Sequence, residues 1–300
     1  MFDLGLPRHA KSRYRRGMNR LNTKILGALA STLLLLNCQK APLADPPVTL
    51  YAMDCGGMDF DDMASFSSDG RFDRQSYTLV VPCFLIRHPS GDLLWDLGLN
   101  QAQFGQPGGI TFQGIRSYIN VSLVDQLASL GLKPSDIEYV AVSHSHPDHI
   151  GNADLFRDST FIVSADEHAF MFSDSARQSG DYFKAYAHLE DADTIQYDTE
   201  HDVFGDGAIR LIQLPGHTPG SAILVLQLDH AGPIMFTGDL ITHSAGRDAQ
   251  AIPTFNLDAD QTRASLEAFE ALAAATQARV IIQHEPKDFA ALPAFPNGLD

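Results

Sequence analysis

Long apolar runs, cysteines and positive charge are all scarce in this 300-residue chain. The longest predominantly apolar run, residues 25–36, has 12 residues, short of the ~20 that cross a bilayer as a helix, so a multi-span membrane protein is excluded. Three cysteines with no CxxC pair leave no zinc ribbon and no dithiol redox motif. No GxSxG, GxGxxG or GxxxxGK[ST] stretch is present, which removes the serine-hydrolase elbow, the dinucleotide fingerprint and the P-loop. Basic residues number 21 against 37 acidic, a net of −16. Seven of the basic residues and one acid fall in residues 1–37, so the remainder carries −22. A body that acidic repels a phosphate backbone, and no nucleic-acid partner is expected.

The N-terminal basic cluster precedes the apolar run, as in a signal peptide. The run ends Leu35-Leu36-Asn37-Cys38, which resembles a bacterial lipoprotein box with Cys38 as the lipidated residue. The expected organisation is a leader over 1–38, a Pro-containing tether over 39–47 and a catalytic body over 48–300. Export follows, with the protein held at the periplasmic side of the cell envelope and touching membrane only through the anchor at Cys38. A plain secretory signal cleaved near Ala41 or Ala44 is the alternative and leaves a soluble periplasmic or secreted protein. Either Met1 or Met18 can be the start. Cys55 and Cys83 are then the remaining cysteines, either paired or two buried thiols.

Strands are predicted at Val48–Met53, Tyr77–His88, Leu93–Leu97, Tyr139–Val142 and Thr160–Ser164, then at Ile209–Leu214, Ala222–Leu228, Pro233–Thr237 and Arg279–Gln283. Helices are predicted at Ser122–Leu130, near Asp166–Phe172 and at Asp258–Ala275, with Gly131 ending the first and Asn256 or Asp258 capping the last. Loops fill 54–76 and 99–119. The order implies an α/β fold of two halves, sheet packed on sheet with helices outside.

The chemistry concentrates in Ser143-His144-Ser145-His146-Pro147-Asp148-His149, directly after a strand. His144 and His146 share a face if extended. Asp148 and His149 lie beyond a bend at Pro147, so one loop can present ligand pairs to two adjacent ions. Imidazole and carboxylate suit zinc and its borderline neighbours.

This HxHxDH pattern resembles the metallo-β-lactamase superfamily. Further segments match in order: Gly216-His217-Thr218-Pro219-Gly220, Thr237-Gly238-Asp239, and His284 after the last strand; Leu94-Trp95-Asp96-Leu97-Gly98 is similar to the family's early D-x-G turn. The resemblance implies an αββα sandwich of two packed mixed sheets with helices outside. It implies that His144, His146 and His217 hold one divalent metal, that Asp148, His149 and His284 hold a second, and that Asp239 bridges them while Asp96 supports the site from behind. The expected ions are two zinc, with iron, manganese or cobalt also accepted by such ligands.

Within the superfamily the layout is most similar to the N-acyl-homoserine lactonases. That implies attack of metal-activated hydroxide on a lactone or ester carbonyl, with Asp148 or Asp239 moving the proton. Known members carry a tyrosine three residues after the bridging Asp; Thr242 stands there, with His243 beside it, and either is expected to contact substrate. Phe60, Phe66 and Phe104, with Met58, are expected along an acyl-chain pocket. A phosphotriester or aryl-ester hydrolase is the alternative, and a non-catalytic lipoprotein is disfavoured by the full set of seven ligands. The partner is a small lactone or ester, and the protein a monomer or homodimer.

Overall fold

The computed structural model describes residues 47–300; the leader, the Cys38 lipidation site and nearly all of the tether lie outside them. Thirteen strands lie among the described residues: β1 (Thr49–Phe60), β2 (Tyr77–His88), β3 (Gly91–Trp95), β4 (Ile110–Phe112), β5 (Ile115–Tyr118), β6 (Tyr139–Ala141), β7 (Thr160–Ser164), β8 (Thr194–Tyr197), β9 (Glu200–Asp202), β10 (Ile209–Gln213), β11 (Ala222–Leu228), β12 (Gly232–Phe236) and β13 (Arg279–Ile281). They form an eight-stranded sheet, ordered β4-β5-β1-β2-β3-β6-β7-β8, and a five-stranded one, β13-β12-β11-β10-β9. Both are mixed: β3, β6, β7 and β8 run parallel, as do β12 and β13, and the other pairs are antiparallel.

Alternation along the strands builds the layers. On β2, Phe84 and Ile86 enter a core shared by both sheets, while Cys83 and Leu85 face a second core under the Leu123–Ser129 and Ala165–Met171 helices. On β11, Leu224 and Leu226 face the other sheet, and Ile223 and Val225 face the Ala259–Thr276 helix through Phe269 and Ala273. The result is helix, sheet, sheet, helix, as expected. Asp258 caps that long helix by accepting from the Asp260 and Gln261 amides at 3.0 and 2.9 Å.

Two loop expectations are corrected. β1 continues through Asp54 to Phe60, because an irregularity between Asp54 and Gly57 lets the strand bend without ending; Gly56, at φ 138°, sits at that bend. Residues 99–119 hold the β4–β5 hairpin and a short Gln101–Phe104 helix. The stretch 174–191 also carries short helices at Asp174–Arg177 and Asp181–Tyr186.

Cys55 and Cys83 form a disulfide between β1 and β2, with Cα atoms 5.7 Å apart. Their separation of 28 residues corresponds to about 3–4 kcal/mol of chain-entropy stabilisation. A Cys55→Ala/Cys83→Ala double variant is expected to lose about that much in urea unfolding, and to unfold alike with and without reductant. Equal midpoints for the variant and the untreated parent would contradict the cross-link.

Candidate active site

Seven histidine and aspartate side chains from four loops meet at one end of the sandwich. His144, His146, Asp148 and His149 follow β6, His217 follows β10, Asp239 follows β12 and His284 follows β13. The chain turns at Pro147 into a one-turn helix, Pro147–Ile150. That turn separates the first two histidines from Asp148 and His149.

The donor atoms fall into two groups, His144, His146, His217 and Asp239 in one, Asp148, His149 and His284 in the other. In the first, His144 Nε2, His146 Nδ1 and His217 Nε2 form a triangle with sides of 2.9, 3.0 and 3.0 Å. A tetrahedral ion bound at ~2.0–2.1 Å holds nitrogens about 3.3 Å apart, so the triangle is close to a ligand face. The Asn256 amide oxygen lies 2.9 Å from His217 Nδ1, which fixes that proton there and leaves Nε2 a bare lone pair. Bare nitrogens facing one another are repulsive without a cation between them.

In the second group His149 Nε2 and His284 Nε2 are 3.1 Å apart. Their far nitrogens are also held: His149 Nδ1 lies 2.8 Å from Asp96 Oδ2, and His284 Nδ1 lies 2.7 Å from the Val80 carbonyl. Asp239 divides its carboxylate. Oδ1 is 2.8 Å from His284 Nε2 and 3.3 Å from His149 Nε2, while Oδ2 is 3.4 Å from His217 Nε2. Oδ1 is buried and accepts no well-aligned hydrogen bond. A buried carboxylate oxygen so placed fits a metal ion, as does a donor set of imidazoles and carboxylates.

The electrostatics of the halves differ. Burial first, then the other imidazoles, holds His144 well below the ordinary histidine range, and burial and His217 bring His146 down to about 4. Both are therefore neutral at pH 7, the form that binds metal. In the other half carboxylates stand among the imidazoles and act against burial. For His149 the negative charges of Asp148, Asp96 and Asp239 outweigh it and push the imidazole well up. Asp148 is brought down to about 2 against burial by His149 and His284.

Several residues that sequence reading passed over hold this arrangement. Glu167, 1% exposed, accepts through one oxygen from the Ser145 amide and hydroxyl at 2.8 and 2.7 Å. Its other oxygen accepts from the Thr218 hydroxyl at 2.6 Å and the Gly220 amide at 3.2 Å. One carboxylate thus joins the loop of His144 and His146 to the loop of His217. Asn256 and Gln283 were missed as well; Gln283 donates from Nε2 to Asp96 and accepts at Oε1 from the Trp95 indole at 3.2 Å. A glutamate in the first turn of a helix signals only a favourable dipole position, and nothing in its spacing points at a loop 50 residues on.

The expected substrate contacts are placed less simply. The Thr242 hydroxyl is 3.1 Å from His243 Nδ1. The His243 ring packs among Phe66, Phe72 and Tyr77, at centroid distances of 5.7, 4.8 and 5.8 Å. Thr242, His243 and Phe66 line a cavity of about 500 Å³ whose wall includes none of the seven His and Asp residues. Phe60 packs edge-on against Phe66 at 5.1 Å and with it joins a small core cluster that also borders Met58. Phe104 lies half-buried at the end of its short helix, outside that cluster. The Phe255 ring lies 5.8 Å from His217 and 5.2 Å from Phe66.

Comparison with known proteins places this geometry. Residues 77–284 match the metallo-beta-lactamase superfamily. Over 224 residues the chain is 30% identical to the N-acyl homoserine lactonase AttM of Azorhizobium caulinodans, spanning 70% of this chain and 83% of that protein. It is 29% identical to the AttM lactonase of Agrobacterium fabrum, over 71% and 85% of the two chains. The fold is similar to that of a quorum-quenching N-acyl homoserine lactone hydrolase, with a TM-score of 0.72 at 20% identity over 85% of this chain and 100% of that one. It is also similar to AidC, a dizinc quorum-quenching lactonase, with a TM-score of 0.62 at 18% identity over 79% and 87%.

Glu167→Gln places an amide N–H₂ where donors already point and breaks one side of the loop clamp. Zinc affinity is expected to fall ~10–100-fold, the usual cost of losing a partner behind the ligands. Competition with a chromogenic chelator measures it, and unchanged affinity would remove Glu167 from the site.

Proposed function

The chain belongs to the metallo-beta-lactamase superfamily, and from that premise we propose that it is a dinuclear metal-dependent hydrolase that opens the ring of N-acyl homoserine lactones. The observation that carries the reading is the Asp239 carboxylate, with one oxygen toward His149 and His284 and the other toward His217. A shared carboxylate between two clusters of buried imidazoles is the arrangement expected of a two-ion site. His144, His146 and His217 would hold one ion, and Asp148, His149 and His284 the other. Relatives described as N-acyl homoserine lactonases support the substrate class.

Two divalent ions, zinc by the donor chemistry, supply when bound an activated water at neutral pH and polarisation of the lactone carbonyl. The chain's own residues supply the rest. Asp96, the Val80 carbonyl and Asn256 fix His149, His284 and His217 in the tautomer that leaves the inward nitrogen free. Asp148 or Asp239 accepts the proton released in the attack and returns it to the departing ring oxygen. Phe255, 36% exposed, forms an apolar lip beside His217, a surface suited to excluding water around bound substrate.

The leader supports export, with anchoring at Cys38. The Cys55–Cys83 disulfide supports the same address, because such bonds persist in oxidising compartments.

Protein lacking residues 1–38 is expected to contain two zinc ions per chain by elemental analysis and to open N-hexanoyl homoserine lactone, followed by proton release. Chelation should abolish the reaction and zinc restore it, and Asp239→Asn should lower the metal content. Two ions without lactone opening would move the assignment to phosphotriesters or aryl esters. Protein that cannot be loaded would overturn the dinuclear site.

A further inference from the structure

A cavity of about 260 Å³ opens beside the histidine triangle, with Ser145 and His146 in its wall. The remainder is largely apolar, with Ser175 and Ser179 among it: Phe170 and Met171 from the Ala165–Met171 helix, Ala176 from the Asp174–Arg177 helix, and Tyr182 and Tyr186 from the Asp181–Tyr186 helix. All these apolar residues come from the segment between β7 and β8. The larger 500 Å³ cavity is a poorer substrate pocket. It includes none of the seven His and Asp residues, and its wall carries the Arg247–Glu270 ion pair, with nitrogen and oxygen atoms 2.8 Å apart.

The two tyrosines divide their roles. Their rings meet edge-on at 5.3 Å. The Tyr186 hydroxyl is spent, donating to the Met171 carbonyl at 3.4 Å. The Tyr182 phenol instead lies against the Ser145 hydroxyl, within the fields of Asp148 and Glu167. The Ser145 hydroxyl proton already goes to Glu167 at 2.7 Å. Burial first, then Tyr186, Asp148 and Glu167, pushes Tyr182 ionisation far up. With the Ser145 proton committed to Glu167, the Ser145 oxygen is the acceptor for the Tyr182 hydroxyl, a contact for which a substrate carbonyl at this wall would compete.

We propose that this smaller cavity receives the N-acyl chain of the lactone and that Tyr182 donates a hydrogen bond to the amide carbonyl at the head of that chain. The geometry that carries it is a largely apolar pocket whose wall includes Ser145 and the candidate ligand His146, with a phenol at that wall whose partner is the Ser145 hydroxyl. At 260 Å³ the pocket lies just below the ~300–1,000 Å³ of ordinary ligand sites, which favours short chains over long ones. The inference rests on the lactonase reading and adds the residues that set chain preference.

The test compares N-hexanoyl homoserine lactone with unsubstituted γ-butyrolactone, which has neither chain nor amide, in zinc-loaded protein. Ala176→Phe, which fills the pocket, should lower the hexanoyl-to-butyrolactone ratio of kcat/KM about tenfold or more. Tyr182→Phe should lower that ratio ~3–10-fold, the loss of one hydrogen bond, mainly through KM. Because it removes a single oxygen, it carries the test alone if Ala176→Phe fails to fold. A parent that prefers hexanoyl to dodecanoyl chains, with both ratios reduced, supports the proposal. A parent that opens acyl lactones with ratios unchanged in both variants overturns it and leaves the lactonase reading standing. A parent that opens no acyl lactone overturns both.

Discussion

The buried carboxylate of Asp96 is the contact on which the rest of the site depends. It sits at the end of β3 with φ 56°, a left-handed conformation that aspartate adopts more readily than most residues. Its oxygens take the Ser143 amide at 2.6 Å, the Ser143 hydroxyl at 3.0 Å, and contacts from His149 Nδ1 and Gln283 Nε2. These partners come from the ends of β6 and β13, so one carboxylate joins loops from both sheets. An unpaired charge this deep would be costly, and these donors, with the neighbouring imidazole, make it tolerable. The turn after it is fastened in turn: Leu97 N donates to the His149 carbonyl at 2.6 Å, and Asn152 Nδ2 donates to the Leu97 and Leu99 carbonyls at 2.7 Å each. Gly151 fits against Gly98 so closely that a Cβ there would be 2.5 Å from the Gly98 carbonyl.

Glu167 does for the His144, His146 and His217 half what Asp96 does for the His149 and His284 half. Asp96 orients His149 and reaches Gln283 beside His284; Glu167 joins Ser145 to Thr218 and Gly220, either side of the histidine triangle. Neither acid is among the seven inward-facing side chains. Two carboxylates behind the wall, Asp96 and Glu167, and two in front of it, Asp148 and Asp239, put negative charge on both sides of the imidazoles. That arrangement favours cations in the middle and holds the loops in register before any arrive.

Much of this was legible in the sequence, and the part that was not has a common cause. Period-2 apolar strands gave the layers, since Phe84/Ile86 and Leu224/Leu226 must face one way and Cys83/Leu85 and Ile223/Val225 the other. Strand ends followed by histidine or aspartate marked where the seven side chains emerge, because a short loop after a strand leaves little freedom in direction. What escaped were residues whose partners lie far along the chain. Glu167 is 51 residues from Thr218, Asn256 is 39 from His217, and Gln283 is 187 from Asp96. The bend in β1 escaped because Gly56 and Gly57 fall in a stretch, 54–76, whose Gly, Ser and Asp content reads as loop. Only pairing with β2 and β5 on either side carries the strand through.

The disulfide connects this hub to the sheet. Gly98, at φ 65°, has room for no side chain: a Cβ would lie 2.4 Å from the Cys55 Cβ and 3.1 Å from the Cys83 sulfur. Leu99 N donates to the Cys55 carbonyl at 3.3 Å. The Asp96–Gly98 turn therefore rests directly on the cross-link between β1 and β2, two residues from the carboxylate that orients His149. The two cysteine side chains are the floor beneath that turn. The turn that carries Asp96 lies over this cross-link, while the shared core of Phe84, Trp95 and Phe236 lies on the opposite face of the sheet. In this fold, covalent stability and metal-site geometry meet at a single glycine.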